Sequence, residues 1–153
     1  FGVPAVSLRY FTVYGPRQRP DMAIHKFIRA ALTGQPVTIF GDGTQTRDFT
    51  YVDDIVTANV RAAEADLAPG SVFNLGGGSR ISVLQLIAII EAVTGQRLDQ
   101  RHSDRQAGDA AHTAADLTLA RQALGFAPTV GHEEGIAAEA AWLRAGLDGG
   151  WLG

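Results

Sequence analysis

Cysteine is absent from the 153-residue sequence, which excludes disulfide bonds and thiolate metal sites. Lysine occurs once, as Lys26, beside twelve arginines. The formal net charge of −3 argues against a general nucleic-acid binder, because such a protein needs a basic face. A chain without cysteine suits a reducing compartment, so we expect a cytoplasmic protein.

Long apolar runs and several well-known motifs are also absent. Apolar stretches such as residues 87–90 fall far short of the ~20 residues that span a bilayer, so we expect no membrane segment. The sequence has no G-x-G-x-x-G, no G-x-x-x-x-G-K-[ST] and no G-x-S-x-G. The glycines at 76–78 are therefore interpreted as a flexible turn between a strand and a helix. The four histidines lack metal-ligand spacing, so we interpret them as surface or loop residues and expect no metal site.

The pattern of apolar residues predicts an α/β fold. Strands are predicted over residues 4–14, 37–40, 46–51 and 71–75, the first of them buried. Helices are predicted over residues 21–32, 53–63, 82–94, 116–125 and 133–143, three of them with an aspartate as N-cap. The polar segment 96–112 is predicted to be a loop, and the last residues to be frayed. Because a core strand follows so soon after Phe1, we expect further sequence upstream of it.

The segment Gly41–Asp54, GDGTQTRDFTYVDD, is the most informative part of the chain. It places Arg47 between a glycine-rich turn and a helix start, and a guanidinium can bind phosphate oxygens through two parallel hydrogen bonds. The alternative is a β-hairpin turn followed by a helix cap, with Arg47 paired to Asp48 or Asp53 on the surface. The segment by itself leaves both interpretations open.

Four motifs occur in a fixed order along the chain. They are RYFTVYGPRQRPD from Arg9, GDGTQTRDFTYVDD from Gly41, FNLGGGS from Phe73, and GD at 108–109 ahead of AD at 115–116. Together they resemble the C-terminal half of the extended short-chain dehydrogenase/reductase family, the NAD-dependent nucleotide-sugar epimerases and dehydratases. The resemblance runs from residue 1 to about residue 144, although each motif alone is weak.

The resemblance implies an N-terminal Rossmann half that binds NAD and carries a Tyr-x-x-x-Lys catalytic pair. Neither the glycine-rich loop nor that pair occurs in this sequence. Residues 1–16 and 53–75 would complete the Rossmann sheet, residues 17–52 and 76–145 would form a small mixed α/β substrate-binding domain, and residues 146–153 a tail. We therefore expect the substrate-binding part of a larger, homodimeric enzyme, with no catalytic residues of its own and inactive alone.

On the sugar side, the resemblance implies that Tyr10, Phe11 and Thr12 lie where the nicotinamide and the sugar meet. Many UDP-galactose epimerases carry Asn where Thr12 stands and Arg where Gln106 stands. The pattern with Thr12, Arg19 and Gln106 is similar to UDP-glucuronate 4-epimerases, in which the residues matching Thr12 and Arg19 lie close to the sugar. A hydroxyl and a nearby cation suit a sugar carboxylate. The alternative is ordinary family variation at Thr12 and a loop salt bridge at Arg19.

On the nucleotide side, the resemblance implies that Arg47 binds the diphosphate with help from Tyr51. Thr38 and Phe40 would pack against the nucleobase, and Asp109 would accept hydrogen bonds from the ribose hydroxyls. These roles agree with the chemistry of the groups, because a diphosphate suits arginine and a flat base suits an apolar or aromatic wall.

The resulting hypothesis is the substrate half of an NAD-dependent nucleotide-sugar 4-epimerase for UDP-glucuronate or UDP-glucose. A 4,6-dehydratase with the same cofactor stays open, because its additional acid/base pair would lie outside this sequence. A nucleotide-sugar-binding module without turnover is a third possibility. An unpaired hydrophobic strand at its start disfavours the module, because such an edge promotes aggregation.

Overall fold

The structure is a computed structural model that describes residues 2–105, 108 and 110–152. The fold is α/β, as predicted. The strands are β1 (Ser7–Tyr10), β2 (Thr12–Tyr14), β3 (Val37–Phe40), β4 (Thr46–Tyr51), β5 (Val72–Leu75), β6 (Arg80–Ser82) and β7 (Gln100–Ser103). The helices are α1 (Ala23–Thr33), α2 (Val52–Glu64), α3 (Val83–Thr94), α4 (Thr118–Leu124) and α5 (His132–Asp148).

Three small sheets organise these strands. β1 lies parallel to β5, and β3 lies parallel to β7. β2 lies parallel to β4, whose first residues pair antiparallel with β6. The chain passes from the first sheet to the second at Phe11, whose N–H still donates to the Leu75 carbonyl oxygen across 2.8 Å.

Two apolar clusters hold the sheets and helices together. The larger cluster packs α1, α3 and α5 against β2, β3 and β4, with Ile28, Leu86 and Ile136 completely buried. The smaller cluster packs α2 and α4 against β5 around Ala58 and Leu75. Burying a large apolar side chain contributes about 1.5–3 kcal/mol, so these clusters dominate the stability of the fold. Within the described ranges, no helix is both long and apolar enough to cross a membrane.

Local sequence signals set the ends of α1 and α3. The Ser82 hydroxyl accepts the Gln85 N–H at 3.1 Å, while the Gln85 side chain accepts the Ser82 N–H at 2.8 Å, so these two residues form a capping box at the start of α3. Gly34 and Gly95 end α1 and α3 with φ angles of 69° and 70°, a left-handed conformation that glycine adopts without strain.

The single buried strand predicted over residues 4–14 is wrong. This stretch forms two short strands with a break at Phe11, and Tyr14 is its only buried residue. The break occurs because β1 joins β5 whereas β2 joins β4. Aromatic and β-branched composition predicts extended backbone but does not reveal which strand it pairs with.

The turn 41–45 is not a β-hairpin, because β3 pairs with β7 while β4 pairs with β2 and β6. The loop predicted over residues 96–112 contains β7, and β6 was not predicted at all. All four residues of β7 are exposed, so this strand carries no alternation of apolar and polar residues to mark it. β6 has only three residues, too few to show a period.

The aspartate N-caps predicted for α1 and α2 and the frayed tail are also wrong, whereas at α4 the Asp116 Oδ1 atom does accept the N–H of Thr118, the first helical residue, at 2.9 Å. Met22, Tyr51 and Leu117 occupy the cap positions of α1, α2 and α4 without a side-chain hydrogen bond. At the C-terminus, α5 continues to Asp148, and the N–H groups of residues 151 and 152 both donate to the Gly146 carbonyl oxygen at 3.1 Å. The tail therefore folds back onto α5.

Candidate functional site

The segment Tyr10–Thr12 lies where the chain changes sheets. β1 and β5 end side by side at Tyr10 and Leu75, and Thr12 then begins β2 beside β4. In α/β proteins, ligands bind beyond the carboxyl ends of parallel strands, at points where the strand order changes. The structure thus brings the predicted residues Tyr10, Phe11 and Thr12 together at such a point.

A first cleft, the loop cleft, opens beside this segment and has a volume of about 470 Å³. It is lined by Tyr10, residues 13–19, Met22 and Val52. Two of its lining residues, Arg17 and Arg19, are cationic, and none of them is acidic. The loop cleft therefore suits an anionic ligand.

Arg19 already has a partner in the structure. Its Nε and Nη2 atoms donate to the two Asp21 carboxylate oxygens at 2.9 and 2.5 Å, and this hydrogen bonding lowers the pKa of Asp21. The pair agrees with the alternative interpretation of Arg19 as a loop salt-bridge partner. However, the two side chains are 76% and 56% exposed, and an exposed ion pair is weak enough for a ligand carboxylate to displace.

A second cleft, the helix cleft, lies between α1 and β3 and has a volume of about 520 Å³. Its lining comprises Lys26, Phe27, Arg29, Ala30, Thr33, residues 35–38 and Phe40. Val37 and Ile39 face the core, so the alternation along β3 turns Thr38 and Phe40 outward. The two predicted nucleobase contacts thus share one face of β3, beside a lysine and an arginine of α1.

A third cleft, the turn cleft, has a volume of about 230 Å³ and shares Phe40 with the helix cleft. It is further lined by residues 41, 42, 44 and 45 of the turn and by Arg105, Ala111 and His112. The Thr46 N–H donates to the Ala111 carbonyl oxygen at 3.0 Å, and the Thr46 hydroxyl lies 2.9 Å from Nδ1 of His112. These bonds hold the segment around residue 111 against the start of β4.

Arg47 follows Thr46 on β4, next to the turn cleft. It is half-buried, and its Nη1 atom donates to the Thr46 carbonyl oxygen at 2.9 Å. The neighbouring Asp48 is not a surface residue, since it is 2% exposed and accepts the N–H groups of Gly77 and Ala115 at 2.6 and 3.0 Å. The Gly77 N–H thus binds an internal carboxylate, as befits a structural turn.

Tyr51 is directed toward the core. Its ring meets the Tyr14 ring edge-on with 5.7 Å between centroids, and burial followed by the charges of Asp53 and Glu134 raises the pKa of its hydroxyl. A phenol near carboxylates is a poor neighbour for a diphosphate, so its predicted role stays a prediction. Gln106 and Asp109 lie outside the described residues.

Two histidines differ from the sequence-based interpretation. His25 is 3% exposed within α1, and His132 packs its ring 6.5 Å from the Tyr14 ring; burial lowers the pKa of both. The sequence analysis also missed the cationic lining residues Arg17, Lys26, Arg29 and Arg105. Lys26 and Arg29 are three positions apart on a predicted helix, a spacing that could have indicated one basic face. Among the described residues, no three His, Asp or Glu side chains are grouped so as to hold a metal ion.

Comparison with known proteins identifies the family of this chain. The family model described as "NAD dependent epimerase/dehydratase family" matches residues 1–76. A UDP-glucuronate 4-epimerase from Thermodesulfobacterium geofontis is 38% identical over 151 residues, which make up 97% of this chain and 46% of that protein. The chain belongs to the NAD dependent epimerase/dehydratase family. This family member spans about half the length of the curated relatives that it matches.

Solved structures extend the similarity to the fold of this epimerase-family chain. The UDP-glucuronic acid 4-epimerase from Bacillus cereus, in complex with UDP-glucuronic acid and NAD, has a TM-score of 0.90 at 44% identity, covering 94% of this chain and 46% of the other. The UDP-glucose 4-epimerase from Thermotoga maritima with UDP-glucose has a TM-score of 0.86 at 37% identity, covering 93% and 46%. Both sugar specificities therefore occur among similar folds.

Proposed function

We propose that this chain is the substrate-binding part of an NAD-dependent nucleotide-sugar 4-epimerase. The observation that carries the proposal is the position of two cationic clefts along one helix, the loop cleft at its start and the helix cleft beside residues 26–33. Met22 lines the loop cleft and Arg29 lines the helix cleft, and the seven residue steps from Met22 to Arg29 rise by about 10 Å along α1. Neither lining contains an acid, although the chain has a net charge of −3. An extended anion with a different group at each end suits this arrangement.

The nucleotide end would occupy the helix and turn clefts. Phe40 borders both of them and is 37% exposed, so its ring can cover a nucleobase. Within the described part of the chain, β3 pairs only with β7, which leaves backbone groups along its other edge for hydrogen bonds to a base. Arg47 and Arg105 would bind the diphosphate, because guanidinium groups match phosphate oxygens. The predicted ribose contact of Asp109 stays a prediction.

The sugar end would occupy the loop cleft near Thr12. A C6 carboxylate would accept hydrogen bonds from the Arg19 guanidinium in place of Asp21, and a neutral hydroxymethyl group has no charge with which to compete for that cation. This difference favours UDP-glucuronate over UDP-glucose as the substrate.

Among the described residues, the groups that suit NAD lie at its nicotinamide end. The Tyr10 ring is half exposed and held by a hydrogen bond from its hydroxyl to Asn59 Oδ1 at 2.8 Å, so it offers an aromatic surface at the sheet crossover. No G-x-G-x-x-G occurs in the sequence, and the Gly77 N–H already serves Asp48, so the pyrophosphate has no cradle in the described residues. When bound, NAD would supply the hydride acceptor. Tyr10 and Thr12 would orient the sugar beside it.

Turnover of the protein expressed from its complete coding sequence tests the proposal. Conversion of UDP-glucuronate and of UDP-glucose is followed by NMR, for the wild type, Arg19→Ala and the control Arg80→Ala, which is exposed on β6 and outside the three clefts. We expect epimerisation at C4 and a preference for UDP-glucuronate of about 10- to 100-fold in kcat/KM, reduced in Arg19→Ala alone.

Other products would assign another function. Loss of water from UDP-glucose, leaving a 4-keto sugar, would indicate the dehydratase, and binding without any conversion would indicate the module. Equal rates on both sugars would contradict the role of Arg19. Homodimer formation and a cytoplasmic location stay predictions, the first of which light scattering can check.

A further inference from the structure

Glu139 is an unusual residue for the interior of this fold. It lies on α5, its side chain is completely buried, and Oε2 accepts the Gly15 N–H at 2.8 Å. Among the described residues, Oε1 has no hydrogen-bond partner. A buried carboxylate with a single hydrogen bond destabilises a fold relative to an apolar side chain, so packing alone does not explain it.

The bond from Gly15 reaches the loop that forms the wall of the loop cleft. This wall loop, residues 15–19, has a φ angle of 132° at Gly15 and 71° at Arg17. A positive φ is strained for a residue with a side chain, and such strain persists only where surrounding contacts hold the backbone. Something must therefore hold the wall loop in its shape.

Two braces hold it. Inside the loop, the Gln18 N–H donates to the Gly15 carbonyl oxygen at 3.0 Å, and the Gln18 side chain bonds to the Val13 carbonyl oxygen at 2.8 Å and to the His25 N–H at 3.0 Å. From the core, Glu139 holds the first residue of the loop. Gln18 ties the middle of the loop to β2 and α1, whereas Glu139 holds the first residue of the loop from α5.

We propose that Glu139 is a positioning residue, which fixes the wall loop through Gly15 so that Arg17 and Arg19 line the loop cleft. Glu139 does not line the cleft itself, while Gly15 and both arginines do. A carboxyl oxygen on a packed helix gives the Gly15 N–H a fixed acceptor, which suits a strained loop. Only the identity of the ligand rests on the proposed function; the brace does not.

Hydrogen exchange tests the brace without any ligand. The first variant, Glu139→Gln, keeps an oxygen acceptor for the Gly15 N–H. The second, Glu139→Met, keeps most of the side-chain volume but has no oxygen acceptor. The control is Glu134→Gln, on the exposed side of α5. We take the exchange rate of the Gly15 amide relative to that of the core amide of Ala140. In the Glu139→Met variant we expect this ratio to be at least about tenfold higher than in the wild type. In Glu139→Gln and in the control it should stay within about threefold of the wild type.

Ligand affinity tests the positioning. These measurements use the protein expressed from its complete coding sequence. In the Glu139→Met variant we expect the KM for UDP-glucuronate to rise about tenfold, while kcat stays within about twofold of the wild type. In the Glu139→Gln variant we expect a KM close to that of the wild type. A purely structural residue would instead lower the unfolding midpoint, which we expect to be unchanged or higher in both variants. If the Met variant does not fold, Glu139→Asp, whose carboxylate is one methylene shorter, takes its place with the same expectations.

The outcomes separate the two proposals. Unchanged Gly15 exchange in the Met variant would overturn the brace, and faster exchange with unchanged KM would overturn the positioning role. A wild type that neither binds nor converts nucleotide sugars, yet shows the exchange response, would overturn the proposed function and support the brace.

Discussion

Replacing Glu139 by Gln changes how the stability of this protein depends on pH. Burial raises the pKa of Glu139 from its ordinary value of 4.5 to about 7, against the opposing effect of the Gly15 hydrogen bond. The folded state therefore binds this proton more tightly than the unfolded state does. The stabilisation is fully present below pH 4.5 and is lost as the pH rises through 7.

The magnitude follows from the two pKa values. One pH unit corresponds to 1.36 kcal/mol, so the interval from 4.5 to about 7 amounts to about 3 kcal/mol in total. Between pH 5 and pH 8 the wild type should lose about 2.5 kcal/mol of unfolding free energy at this site. A glutamine at this position does not ionise, so the Glu139→Gln variant loses none of this unfolding free energy between pH 5 and pH 8.

Urea unfolding at pH 5 and pH 8 measures this difference. The ionisable groups near the site include Tyr14, Tyr51, Asp54, Glu134 and His132. They are present in both proteins, so their contribution cancels when the variant is compared with the wild type. We expect the Gln variant to gain about 2.5 kcal/mol relative to the wild type between the two pH values. A relative change below about 0.5 kcal/mol would refute the claim that a buried, proton-binding carboxylate occupies this position.

Three further substitutions test the fold and the site. In Gly77→Ala the new Cβ would lie 1.9 Å from a backbone carbonyl oxygen of β4, so we expect urea unfolding to show a loss of at least about 3 kcal/mol in the free energy of unfolding. The control is Gly131→Ala, which has open space around the new Cβ. It should lose no more than about 1 kcal/mol, the cost of changing an N-cap residue. Asp54→Asn should lower the free energy of unfolding by about 1.5–3 kcal/mol, because the Asp54 carboxylate accepts hydrogen bonds from the N–H groups of residues 129 and 130 and from the Thr129 hydroxyl. The control Asp53→Asn, exposed in the same helical turn, should lower it by only about a few tenths of a kcal/mol. Equal losses in the two variants would contradict this role of Asp54. In the protein expressed from its complete coding sequence, Arg47→Ala should weaken UDP binding about 30- to 150-fold by calorimetry. A change within about twofold would instead support a structural role for the guanidinium.

The sequence predicted the elements with the strongest local signals and missed those without them. α3 begins with a capping box and ends at a glycine, and it was predicted within one residue of its observed bounds. β7 was missed because all its side chains are exposed and only its backbone pairs with β3. The motif around Arg47 was recognised from residue types, but the sequence did not reveal that the Asp48 carboxylate holds the glycine turn and residue 115.

The sequence by itself determined the α/β class, the family and the cationic and aromatic residue types suited to a nucleotide sugar, because these follow from local periodicity and from motif order. Only the tertiary structure decided which strand each segment pairs with, that the loop and helix clefts lie along α1, and that Glu139 lies beneath Gly15. Glu139 and Gly15 are 124 positions apart, and no local pattern encodes a contact over that separation. Such contacts arise when the packing of α5 against β2 and β4 is complete, so they belong to the folded structure as a whole.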